Sequence, residues 1–174
     1  MEQEILKSLI NEKRYDYKCF DELKRFITSN SEFKEIVKRG LLEGKITGFD
    51  ESIWEKIDSQ NIRIIDSFES IFKEGYNIGG CTTTSRQLSF SFDGCYICGG
   101  KLPILEGTKN SPDGRHTWIY WNDKVIDTTL MLVIDKDYVP LFGYKESNRY
   151  DPMEDPLYVS SKDFALDENL RKKD

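Results

Sequence analysis

Three side chains in the second half of this 174-residue chain have the types and order of a thiol-based acyl-transfer site: Cys81, His116 and Asp127. Cys81 follows Gly79-Gly80, which permit a tight turn and close backbone approach. If Cys81 opens a helix, the positive end of the dipole and the first N–H groups would stabilise a thiolate and could receive an oxyanion. His116 is the only histidine, so a cysteine–histidine mechanism has one possible base and a multi-histidine metal site is excluded. Thr82-Thr83-Thr84-Ser85 suits a first turn but makes a poor helix interior. The alternation of Leu88, Phe90 and Phe92 predicts that any helix here ends early.

Asp127 joins the set through strand geometry. Trp121-Asn122-Asp123-Lys124 reads as a hairpin with Asn-Asp as its two-residue turn. In that register Trp118 faces Asp127 and His116 faces Thr129. Directly opposed side chains share a sheet face, as do residues two apart on one strand. Asp127 therefore falls diagonal to His116 on one face, within reach of an imidazole nitrogen. A four-residue loop keeps this parity and a three-residue loop breaks it. Asp123, in the turn, and Asp135, beyond the second strand, are worse placed.

The remaining cysteines are Cys19, Cys95 and Cys98. Cys95-Tyr-Ile-Cys98 has the spacing of half a zinc site, which needs a second ligand pair, and the other candidates are scattered along the chain. The segment also reads as a strand, where residues three apart point to opposite faces. The expectation is small buried thiols, no metal and no cofactor.

Two unlike halves must position these residues. Residues 1–75 read as helices. Ile5, Leu6, Leu9 and Ile10 share a face, as do Phe20, Leu23, Phe26 and Ile27, and Ile64, Ile65, Phe68, Ile71 and Phe72 form an amphipathic stripe. Ser29-Asn-Ser-Glu32 has the capping-box pattern and opens a short helix through Phe33, Ile36 and Val37, ended near Gly40. Asp50 is a cap for Ile53, Trp54 and Ile57. From Gly75 onward the pattern turns strand-like, over 96–97, 102–105, 116–121, 124–127 and 130–134, with one short helix near Phe164. The prediction is a single α+β domain with N-terminal helices followed by a mainly antiparallel sheet. Within it, residues 1–75 are the helical region, 76–149 a candidate catalytic core and 150–174 an acidic extension.

The chain carries 25 Lys+Arg against 31 Asp+Glu, a net charge of -6, and no segment is basic. That argues against a nucleic-acid partner. No run nears the roughly 18 apolar residues of a membrane span. The N-terminal residues lack the basic start and apolar block of a signal peptide. These features predict a soluble, cytoplasmic protein with neither nucleic acid nor membrane as partner, and leave the oligomeric state open.

With Cys81, His116-Thr-Trp118 and Asp127-Thr-Thr129 in this order, residues 75–134 resemble the transglutaminase-like branch of the papain-like cysteine hydrolase superfamily. The resemblance implies a nucleophilic Cys81 at the start of a helix packed on an antiparallel sheet, with His116 and Asp127 on adjacent strands. It also implies acyl transfer through a thioester, from an amide or ester of a protein, peptide or small molecule. Release by water would make a protease, amidase or deamidase; release by an amine would make a transglutaminase-like acyltransferase. Thr82 stands where the family often has an aromatic residue. Asn77 and Tyr76 are candidates for the side-chain half of the oxyanion hole by proximity alone, and Trp118 is a candidate for the substrate cleft. Arylamine acetyltransferases share the triad order, but their Arg-Gly-Gly-x-Cys signature is not met by Asn77-Ile-Gly-Gly-Cys81. The alternative is a non-catalytic binding module on the same fold, with Trp118, Tyr120, Trp121 and loop 107–114 as its aromatic recognition surface.

Overall fold

The computed structural model of the chain describes residues 29–62, 80–107 and 111–152. The helices read around 5–10, 20–27, 64–72 and Phe164 lie outside these residues, as do Cys19, Tyr76 and Asn77. Helix α1 (Ser31–Leu42) opens on Asn30, whose Oδ1 accepts from the Phe33 N–H at 2.9 Å. Gly40 does not end it. The missing Cβ leaves room for Ile46, whose Cδ1 would lie 2.3 Å from a side chain there, and the helix continues for two more residues. Ile46 belongs to β1 (Ile46–Gly48), a strand that the helical reading of this half passed over. Asp50 then caps α2 (Glu51–Ser59) through the Ile53 N–H at 2.9 Å, and the helix buries Ile53, Trp54 and Ile57.

The second half supplies α3 (Gly80–Ser89), β2 (Tyr96–Lys101), β3 (Arg115–Trp121), β4 (Lys124–Asp127), β5 (Leu132–Asp135), the short α4 (Val139–Phe142) and β6 (Lys145–Tyr150). The strands form one sheet in the order β1-β5-β4-β3-β2-β6, with every neighbouring pair antiparallel. The architecture is α+β.

Three local readings need correction. Residues 102–105 are not a strand: Pro103, with its fixed φ and no N–H, starts a 3-10 turn over Pro103–Leu105. Strand β5 begins at Leu132 rather than at 130, because Thr128 to Met131 turn the chain and Met131 takes φ 56°. Helix α3 runs on to Ser89 through its threonines. Thr84 satisfies its hydroxyl by donating to the Gly80 carbonyl one turn back, at 2.8 Å.

The core gathers Leu88 of α3 with Cys98, Ile119, Ile126, Leu132 and Ile134 of the four central strands, all nearly inaccessible. Within β3, His116, Thr117, Trp118 and Ile119 are all buried. Successive side chains face opposite ways, so the strand is covered on both faces. Among the described residues no helix is long and apolar enough to cross a membrane.

Candidate active site

The hairpin between β3 and β4 fixes the first half of the site. Trp121 pairs with Lys124, Tyr120 with Val125 and Ile119 with Ile126. The two loop residues, Asn122 and Asp123, take φ 51° and 59°, the left-handed pair that matches the twist of a tight hairpin. One step further in this register, Trp118 comes opposite Asp127. His116 and Asp127 thus share a face, and His116 Nε2 lies 2.7 Å from Asp127 Oδ2.

Asp127 is completely buried, and both its oxygens are occupied. Oδ1 accepts from the backbone N–H groups of Thr129 and Leu130, each at 2.9 Å. Oδ2 accepts from His116 and also from the Tyr144 hydroxyl at 2.6 Å. Burial disfavours its charge, but the imidazole, the phenol and the Leu130 N–H outweigh that and hold the carboxyl below its ordinary range. Burial also opposes charge on His116. The adjacent carboxylate, its hydrogen bond and a hydrogen bond with Cys81 reverse the balance and push the imidazole up to about 10.

Cys81 comes from the other side. It is the second residue of α3, buried, with its thiol within hydrogen-bonding reach of the same ring. Nε2 is committed to Asp127, so Nδ1 is the nitrogen left for the thiol. Hydroxyl contacts hold the helix against the sheet: Thr82 to Thr117 at 3.1 Å, Thr84 to Thr128 at 2.8 Å and Ser85 to Thr128 at 3.4 Å. Thr82, where the resemblance has an aromatic residue, is one of these anchors.

Trp118, the candidate cleft residue, is as buried as His116 and lies edge-on to Tyr144, with ring centroids 4.8 Å apart. Trp121 is likewise engaged, its Nε1 donating to the Asp93 carbonyl at 3.0 Å. Tyr144 itself was not among the residues singled out from sequence. It sits just before β6 in a stretch with no periodic signal, and nothing in its neighbourhood along the chain marks it.

The other two described thiols have separate surroundings. Cys95 Sγ donates to the Ser89 carbonyl at 3.2 Å, and burial pushes its thiol up to about 11. Burial also raises the Cys98 thiol, helped by Glu146. Among the described residues no group of three or more His, Cys, Asp and Glu could hold a metal ion. No family model, curated protein or solved structure matches the chain.

Proposed function

We propose that this chain is a cysteine-dependent acyl-transfer enzyme with a papain-like, transglutaminase-like core, in which Cys81 is the nucleophile, His116 the base and Asp127 its orienting partner. The observation that carries the reading is one imidazole with two engaged sides: Nε2 bonded to a buried carboxylate at 2.7 Å, and a thiol at the start of a helix within reach of the ring. A merely structural histidine does not need both.

In this mechanism His116 Nδ1 takes the proton of Cys81, and Asp127 holds the tautomer in which Nδ1 can accept and stabilises the imidazolium. The high basicity of His116 favours that transfer. Cys81 Sγ then forms a bond to the carbonyl carbon of an amide or ester. The developing oxyanion meets backbone N–H groups in the first turn of α3. His116 returns its proton to the leaving group, and water or an amine, deprotonated by the now neutral imidazole, releases the acyl group from sulfur. The substrate is a protein, peptide or small-molecule amide or ester, and the action is that of a thiol hydrolase or an acyltransferase.

The test is intact-mass detection of a one-to-one adduct with an electrophilic acylating probe at near-neutral pH. The adduct is expected in the wild type and absent from Cys81→Ser. Adduct formation that persists in Cys81→Ser would leave recognition by the aromatic residues as the better account.

A further inference from the structure

Oδ2 of Asp127 receives two donors, and only one of them belongs to the proposed triad. The other, the Tyr144 hydroxyl, is delivered by an irregularity in the sheet. Strand β6 pairs with β2 through Gly99–Asn148 and then Gly100–Glu146, so Ser147 is an extra residue at a register shift. Lys145 comes so close that a Cβ on Gly100 would lie 1.9 Å from its carbonyl oxygen. On its other edge Gly100 pairs with His116. The glycine thus lets the start of β6 crowd against the strand pair carrying His116, and the residue just before it reaches Asp127.

We propose that Tyr144 is a positioning residue which, through its hydrogen bond to the oxygen shared with His116, sets how strongly Asp127 grips the imidazole. This rests on the triad reading of the site. Packing alone does not call for the hydroxyl, because a phenyl ring would meet Trp118 equally well. Orienting the carboxylate does not call for it either, since Oδ1 is already fixed by two backbone N–H groups. What the phenol changes is charge. Two donors on one carboxylate oxygen share its electron density, and each weakens the other. A grip that is too strong would hold His116 as imidazolium, whereas release of the acyl group needs the neutral ring to take a proton from water.

The single histidine makes the test direct. With labelled imidazole nitrogens in a Cys81→Ser background, Asp127 is the one titratable group named above that still bonds His116, and Tyr144 acts through it. Tyr144→Phe is expected to raise the His116 titration midpoint by about half to one pH unit, the size of one hydrogen bond to a charged group divided between two partners. Coincident midpoints in folded protein overturn the proposal. If Tyr144→Phe does not fold, the wild type decides: a downfield, slowly exchanging hydroxyl proton with cross-peaks to the Tyr144 ring supports it, and the absence of that signal refutes it.

The chemical consequence is read with p-nitrophenyl acetate. His116 takes the Cys81 proton as Sγ bonds to the acetyl carbon, p-nitrophenolate leaves, and the imidazolium gives that proton up to solvent. Water then gives a proton to His116, its oxygen bonds to the same carbon, and the thiolate departs. In the Cys81-containing protein, Tyr144→Phe is expected to keep the burst while steady-state turnover falls by about three- to tenfold. A turnover unchanged by Tyr144→Phe counts against Tyr144. A burst that survives Cys81→Ser counts instead against the triad reading, and leaves the titration to decide Tyr144 alone.

Discussion

Trp121 pairs directly with Lys124 across a two-residue loop, and this short closure puts His116 and Asp127 on the same face of the sheet. Both loop residues sit at positive φ, a conformation that costs Asn and Asp less than most residues but still more than glycine. Asp123→Gly is therefore expected to raise stability by about 0.5 kcal/mol, because Asn-Gly is the favoured pair for this turn. Its remaining contacts, a 4.0 Å approach to Lys136 and a long bond from Tyr120, are surface interactions of small value. Chemical denaturation of the variant checks the sign, and a clear loss of stability would show that those contacts outweigh the turn.

Cysteine reactivity separates the thiols. Cys95 and Cys98 are held protonated by burial, while Cys81 has an imidazole beside it and a helix start around it. Limiting iodoacetamide on the folded protein, followed by peptide mapping, is expected to label Cys81 first. Faster labelling of Cys19, Cys95 or Cys98 removes Cys81 as the nucleophile.

Asp127→Asn tests the orienting role. The amide oxygen can still accept from Thr129 and Leu130, but its NH2 then faces two former donors, His116 and Tyr144. The ring relieves the clash by accepting at Nε2, which moves its proton to Nδ1, the side of the thiol. The expected result is a barrier higher by about 2–4 kcal/mol, with a smaller loss than removal of Cys81 or His116 gives. Thermal unfolding measured alongside must show a lesser effect; a matching stability loss would make Asp127 structural.

The pair also leaves a signature in stability against pH. His116 rises from 6.5 to about 10 on folding, so its contribution is complete below pH 6.5 and is lost progressively as the pH climbs toward 10. Asp127 acts in the opposite sense: depressed in the fold, it stabilises above its ordinary 3.8 and loses that effect as the pH falls through its lowered value. Cys95 titrates higher, from 9.0 to about 11, so in a Cys81→Ser background, where no thiol hands its proton to the ring, the window between about 7 and 9 belongs to His116. Urea unfolding across that window is expected to show falling stability in Cys81→Ser and a flatter profile once His116→Asn is added. Parallel slopes would mean that the folded imidazole is not raised.

What could be read beforehand was whatever depends on neighbours along the chain. The Asp50 cap, the Asn-Asp turn and the parity that joins His116 to Asp127 all follow from rules spanning a few residues. A helix beginning about Cys81 came from the resemblance, and the length of that helix was not legible. Its threonines look unsuited to a helix until the hydroxyls of Thr117 and Thr128 are placed opposite them. Tyr144 was invisible for a related reason. Its role exists only once β6 pairs with β2, and β6 is exposed along nearly all its length, so it shows no alternation of apolar and polar residues.

The interface between α3 and the sheet is lined by hydroxyls near the Cys81 end, and that governs how the helix can yield. An oily interface resists separation but lets a helix roll or slide by a fraction of an ångström, since dispersion forces have little direction. The bonds of Thr82, Thr84 and Ser85 to β3 and the turn after β4 are directional, and rolling the helix about its axis would break them together. The helix is thereby stiff in torsion as well as in separation. The angle at which the Cys81 sulfur meets the imidazole is then set by small polar groups on the strand that bears His116 and on the turn that follows Asp127, and the three move as one piece.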